Sequence, residues 1–272
     1  MKINWFPGHM AKSVNDLVKK AVLVDLFILV LDARAPISSF NSEFQKIAPN
    51  KFRLLIITKI DLADQKKLVK TKKFFEKKNF FVLLINLKDN GAKRQILAKL
   101  NHLNRLKQEK NHKDFQNAIM KIFVVGMPNT GKSTLINLLT NSQLKVGNQP
   151  GITRNNQWVS LNNFLFLDTP GILLPKMEDE LVAIKLALIG SIKQEIIDLN
   201  YLVVNSYILI SDLYPNLLID LGINPAKIES EINFNLIKLA QIKGFRNKND
   251  LGLNRCRIWF LNYIRQQKIT LD

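Results

Sequence analysis

Gly126-Met127-Pro128-Asn129-Thr130-Gly131-Lys132-Ser133 places two glycines with four residues between them and follows them with a lysine and a hydroxyl. That spacing lets backbone N–H groups converge on phosphate oxygens. Lys132 would act catalytically by neutralising β- and γ-phosphate charge, and Ser133 would offer its hydroxyl to Mg²⁺. The run from Thr134 through Leu139 suits a helix, whose N-terminus adds a favourable dipole. About 35 residues further on, Asp168-Thr169-Pro170-Gly171 suits an Asp168 that holds Mg²⁺ through water and a Gly171 whose N–H meets a γ-phosphate. An ordinary turn would explain that segment in isolation. Between the two, Gln149-Pro150-Gly151-Ile152-Thr153 offers Thr153 as a further Mg²⁺ ligand, or is a plain loop.

The base is addressed earlier in the chain. Thr58-Lys59-Ile60-Asp61 approximates Asn-Lys-x-Asp, in which the Asp accepts from guanine N1 and N2 and the Lys stem covers the ring. Adenine offers no such pair of donors. Thr58 has a hydroxyl in place of the amide that braces the base edge and the phosphate loop, which predicts weaker guanine selectivity. Asn86 and Leu87, after the apolar run ending at Ile85, could supply backbone contacts to guanine O6. The base-reading loop therefore precedes the phosphate loop by about 65 residues, the reverse of the order in most GTPases. That inversion implies a circularly permuted P-loop GTPase domain.

The elements that must carry these loops alternate. Met10 to Val22 has helical apolar spacing, and Leu26 to Leu31 reads as a buried strand. Phe52 to Ile57 is a second strand, Leu68 to Lys78 a basic helix and Phe80 to Ile85 a third strand. Lys93 to Lys110 is a Lys-rich helix, Lys121 to Val125 a strand entering the phosphate loop, and Phe164 to Leu167 a strand entering the Asp168 turn. Strands alternating with helices imply a mostly parallel sheet flanked by helices, an α/β class. From about Glu178 helical patterns dominate, with turn signals at Tyr214-Pro215-Asn216 and Gly222-Ile223-Asn224-Pro225. The expected organisation is a GTPase domain over 1–178 and a smaller all-α domain over 179–272.

Forty Lys and Arg against 22 Asp and Glu leave a net charge of +18, which points to a polyanionic partner such as a nucleic acid. AT-rich coding, which favours Lys, Ile and Asn, is the bland alternative. The lysines at 66, 67, 70, 72, 73, 77 and 78 are either phosphate contacts or a solvated helix face. Lys243, Arg246, Lys248, Arg255, Arg257 and Arg265 are interleaved with Phe245, Trp259, Phe260 and Tyr263, a mixture that can neutralise phosphates while stacking on unpaired bases. His102 and His112 read as solvated surface residues. A single cysteine, Cys256, excludes an intramolecular disulfide framework and fits a reducing cytoplasm. The apolar stretch from Ala21 to Leu31 is interrupted by Asp25 and is too short to span a membrane, and the N-terminus has no signal-peptide pattern.

These segments, with Trp5-Phe6-Pro7-Gly8-His9-Met10, Asp32-Ala33-Arg34-Ala35-Pro36 and Asp168-Thr169-Pro170-Gly171-Ile172-Leu173, resemble the YlqF/RbgA family of circularly permuted ribosome-assembly GTPases. The resemblance covers residues 3 to 195, while the chain after about 200 matches only in length and helical character. It implies a cytoplasmic GTPase that uses GTP and Mg²⁺ in late maturation of the large (50S) ribosomal subunit. Its partners would be a large-subunit precursor, ribosomal RNA and ribosomal proteins, with RNA held in the GTP state and released after hydrolysis. Members lack the catalytic glutamine after the switch glycine, and Ile172 stands there in this chain. The resemblance nominates His9 in its place, to position or deprotonate the water. It also matches Asn129 to the asparagine through which many such GTPases hold K⁺ against the phosphates.

Two other readings compete. An RNA-binding scaffold with a structural nucleotide would lack a ribosome-stimulated, K⁺-dependent GTPase rate. An ATP-using enzyme would bind ATP in competition with GTP.

Overall fold

The computed structural model describes residues 21–40, 50–111, 119–140, 157–168, 179–193, 196–245 and 251–272. Its first strand, β1 (Leu26–Asp32), is apolar in every position but the last and buried along its length, the mark of a parallel strand covered on both faces. Period-two alternation divides it. Phe27, Leu29 and Leu31 face one core, and Leu26, Ile28 and Val30 face the other.

The remaining strands are β2 (Phe52–Thr58), β3 (Phe81–Leu84), β4 (Met120–Val125), β5 (Gln157–Leu161) and β6 (Phe164–Asp168). They form one sheet in the order β3-β2-β1-β4-β6-β5. Every pairing is parallel except β5 with β6. From β1 the chain first builds outward through β2 and β3, then returns to the other side of β1 for β4. The point of reversal lies between β1 and β4, and ligands of open α/β sheets bind at the carboxyl ends of strands at such a point.

Helix α1 (Gln65–Glu76) starts at Asp64, whose carboxylate accepts from the N–H groups of Lys66 and Lys67 and so satisfies two orphan donors. The expected helix at 68–78 is therefore shifted toward its cap. Leu68 and Phe75 pack onto the face of the sheet that holds Phe27 and Leu29. Helices α2 (Ala92–Asn111) and α3 (Lys132–Thr140) cover the opposite face through Ile96, Leu100, Leu135 and Leu139. The hairpin of β5 and β6, turning at Asn162 with φ of 48°, was not anticipated at β5.

A third core is helical. It gathers α4 (Glu180–Leu188), α5 (Leu199–Leu213), α6 (Pro215–Ile219), α7 (Glu229–Ile242) and α8 (Leu251–Gln266). Ala35 and Met127, from the loops after β1 and β4, belong to this core, so the helical layer packs directly on the loops that carry the chemistry.

Candidate nucleotide site

The phosphate loop begins at the end of β4, beside β1. Gly126 has φ of 152°, and a Cβ there would collide with the Val30 carbonyl oxygen; only glycine fits. Gly131, with φ of 101°, has Leu87 and Thr58 as its neighbours, which brings the phosphate loop against both base-side loops. Lys132 is buried and its ammonium donates to the Met127 carbonyl at 2.9 Å. The Thr130 hydroxyl donates to the same oxygen at 2.9 Å.

Thr58 ends β2 level with Asp32 of β1. Its buried hydroxyl donates toward the carbonyls of Thr130, at 2.6 Å, and Leu31, at 3.1 Å. The bracing of the phosphate loop that an asparagine amide would supply is thus made by a hydroxyl. Lys59 sits in the left-handed region, φ 57°, and its ammonium donates to the Asn129 carbonyl at 2.6 Å and to Asp32 Oδ2 at 2.8 Å. Asn86 shapes its own turn by accepting from the Lys88 N–H at 3.1 Å.

These loops enclose a single cavity of about 490 Å³, the size range of a small-molecule site. Thr58, Lys59, Asp61 and Leu62 line one side, and Asn86, Leu87 and Lys88 another. The phosphate loop and its helix contribute Asn129, Gly131 and Thr134. Ser133 stands in the first turn of α3 and Asp168 closes β6, which pairs with β4 through Val124 and Asp168. His9, Thr153, Gly171 and Ile172 lie outside the described residues. So do most of the 10–22 helix, His112, Arg246 and Lys248.

The rest of the wall was not nominated for the nucleotide. It is Arg34, Ile189, Gly190 and Arg265. Helix α4 ends at this cavity, and its terminal carbonyls, which have no partners within a helix, are taken by side chains from afar. Arg265 donates to Leu188 O at 2.8 Å and Ala187 O at 2.9 Å. Arg34 reaches Ile189 O at 2.7 Å, and the Asn129 amide reaches Gly190 O at 2.8 Å. Arg265, grouped with RNA-facing cations in the sequence, is therefore committed to a helix end, where its charge also suits the dipole. Phe260, from the same group, is fully buried in the helical core.

Asp32 is wholly buried and holds two cations. Arg34 grips both its oxygens, Nε to Oδ1 at 3.0 Å and Nη2 to Oδ2 at 2.8 Å, while Lys59 shares Oδ2. Burial pushes this carboxyl up, but Lys59, Arg34 and their hydrogen bonds outweigh it and hold it well below the usual carboxylate range. The guanidinium of Arg34 is likewise disfavoured by burial, yet Asp32 raises it further above its ordinary value. One signal was available: a charged residue ending an otherwise apolar central strand marks a site edge.

Known proteins agree with this geometry. A family model described as a 50S ribosome-binding GTPase matches residues 121–234. Ribosome biogenesis GTPase A of Bacillus licheniformis is 40% identical over 218 residues, which span 79% of this chain and 77% of its own. The probable ribosome biogenesis GTPase A of Mycoplasma genitalium is 36% identical over 266 residues, or 96% and 92% of the two chains. Among solved structures, GDP-bound TM YlqF superposes with a TM-score of 0.68 at 25% identity, covering 96% of this chain and 98% of that one. GNP-bound YlqF from T. maritima gives 0.64 at 26% identity, covering 94% and 93%. With base loop before phosphate loop on one sheet, and with relatives of this likeness over most of its length, the chain belongs to the YlqF/RbgA family of circularly permuted GTPases.

Proposed function

We propose that this chain binds GTP with Mg²⁺, hydrolyses it, and thereby times its attachment to a late precursor of the large ribosomal subunit, holding ribosomal RNA in the GTP state. The observation that carries the reading is the single cavity in which the base loop, the phosphate loop and the end of α4 meet. A ligand filling it touches both the sheet domain and the helical layer, so its chemical state can bias how the two sit together. Relatives bear the name ribosome biogenesis GTPase A, which supports the ribosomal partner.

Ser133 and Asp168 are hard oxygen donors, the type that Mg²⁺ selects. Ser133 stands at the start of α3, and Asp168 is one strand away from the phosphate loop, so the residues fit the ion. We assign them, with Thr153, to Mg²⁺, which supplies neutralisation of charge on the transferring phosphoryl group. Lys132 adds a second positive charge from the loop, and the Gly171 N–H a donor to the γ-phosphate. Ile172 cannot orient water, so His9 takes that role. Asn129, whose amide holds Gly190, is the residue we match to a K⁺ ligand beside the phosphates.

Two surfaces support an RNA partner. Lys66, Lys70, Lys73 and Lys77 are exposed on α1 and the turn after it, at spacings of four, three and four residues that align them on one face. In the helical layer Trp259 and Tyr263 stack at 5.3 Å, with the Lys243 ammonium 4.9 Å from the Trp259 ring. No helix among the described residues is long and apolar enough to cross a membrane, and we place the protein in the cytoplasm with its ribosomal substrate.

The test is twofold. GTP turnover should rise when large-subunit precursor particles are added, and the particles should bind the protein more tightly with a non-hydrolysable GTP analogue than with GDP. Equal affinity for the two nucleotide forms, with no stimulation, would leave only a scaffold.

A further inference from the structure

We infer that Asp32 is a positioning residue of the nucleotide site: its carboxylate fixes Lys59 across the base side of the cavity and, through Arg34, ties that lysine to Ile189 at the end of α4. The inference rests on the nucleotide reading above and concerns a segment, Asp32 to Pro36, that this reading leaves without a role.

A lysine stem covers a purine only if its ends are held. The backbone end of Lys59 is fixed by its left-handed conformation at the start of the short 3₁₀ turn Ile60–Leu62. Its ammonium end is free to swing about four rotatable bonds unless something holds it, and a lysine carries about 2 kcal/mol of rotamer entropy. Two acceptors hold it here, the Asn129 carbonyl and Asp32 Oδ2. The carbonyl belongs to the loop that must receive phosphates, whereas Asp32 belongs to the central strand and is immobilised by four further contacts. Its Oδ1 accepts from the Arg34 N–H and Nε, its Oδ2 accepts from Arg34 Nη2, and its own N–H donates to the Ser39 hydroxyl. The lysine is thus anchored to the most rigid part of the sheet.

Arg34 extends the anchor. The Nη2 that binds Asp32 also donates to Ile189 O at 2.7 Å, so one guanidinium connects the residue that fixes Lys59 to the helical layer. Ile189 and Lys59 line the same cavity. The path from base side to helix end is three side chains long, and no part of it passes through the γ-phosphate. GDP as well as GTP would therefore engage it.

A double-mutant cycle on the full chain separates positioning from bulk stability. GDP affinity is measured for the unmutated protein, Asp32→Asn, Lys59→Met and the double variant, with folding checked by circular dichroism. If Asp32 acts through Lys59, Asp32→Asn weakens GDP binding about tenfold in the native background and less than about twofold beside Lys59→Met, a coupling expected of residues in contact. An equal loss in both backgrounds, with GDP still bound tightly by the unmutated chain, overturns the inference and leaves the nucleotide reading standing. Failure of the unmutated chain to bind GDP removes both. Should Asp32→Asn not fold, a crystal structure of the unmutated chain with GDP decides. Lys59 Nζ within hydrogen-bond distance of Asp32, about 3.2 Å or less, with its stem against guanine supports positioning, and a lysine turned away from Asp32 refutes it.

Discussion

The Thr58 hydroxyl reaches Thr130 O and Leu31 O from a fully enclosed position, and so ties the base loop to the phosphate loop. Thr58→Val keeps the shape and removes the donor, so we expect a loss of about 1–2 kcal/mol of stability, the cost of leaving buried acceptors unmatched, and weaker GDP binding; denaturant melts and titration read the two. Asp32 makes a prediction in pH. Its carboxyl lies below the unfolded value of about 3.9, so its contribution is complete above that value and disappears as pH falls through the lower folded one. Thermal melts from pH 5 to 2.5 should show part of the acid loss of stability missing in Asp32→Asn, against a cost of about 3 kcal/mol at neutral pH. Gly126, Lys132 and Asp61 were legible because each belongs to a short motif contiguous in sequence. Arg34 and Arg265 were not, since the carbonyls at the end of α4 that they hold lie 155 and 77 residues away along the chain.

At the scale of elements, β1, β2, β4 and β6 were readable as apolar runs, because strands buried on both faces need no alternation. The β5 strand was missed: it is a five-residue edge strand with polar Gln157 and Ser160, and its pairing depends on a turn at Asn162-Asn163. Helix α1 was legible as basic, but not in the division of its charges. Lys67 donates to Thr270 O and lies 4.9 Å from the Tyr214 ring, Lys72 pairs weakly with Glu76 at 3.8 Å, and Lys78 sits over Phe74. Changing Lys66, Lys70, Lys73 and Lys77 together to glutamine should weaken binding to precursor particles and reduce its salt slope by about 3, since each phosphate contact contributes roughly 0.7–0.9 to the slope. GDP affinity should not change. A loss of GDP binding, or an unaltered salt slope, would remove α1 from the RNA-facing surface.

Across the whole molecule, the two layers are joined by residues far apart in sequence. After α8 the chain runs back along the sheet domain; Ile269 and Leu271 are buried in the helical core, and Thr270 between them is buried as well. Thr270 accepts from the Asp64 N–H at 3.2 Å and the Lys67 ammonium at 2.8 Å, donates its hydroxyl to Ala33 O at 3.1 Å, and exchanges two hydrogen bonds with the Tyr214 hydroxyl. Asp272 accepts from the N–H groups of Ile37 and Ser38 and pairs with Lys185 of α4. These contacts join the helical layer to the turn after the base loop and to the Asp32 to Pro36 segment. Thr270→Val should cost about 1–3 kcal/mol, because it strands buried polar groups, and deleting residues 269–272 should cost more; calorimetry of the full chain and the two variants ranks them.

The central claim is that an early base loop and a late phosphate loop close on one guanine nucleotide. Isothermal titration of GDP into the unmutated chain, Asp61→Ala and Lys132→Ala tests it most directly. The account predicts one site per chain and a loss of about a hundredfold or more in each variant, since a site built to bond a polar edge or a phosphate pays heavily for an unmatched group. GDP binding that survives either substitution undiminished would contradict it.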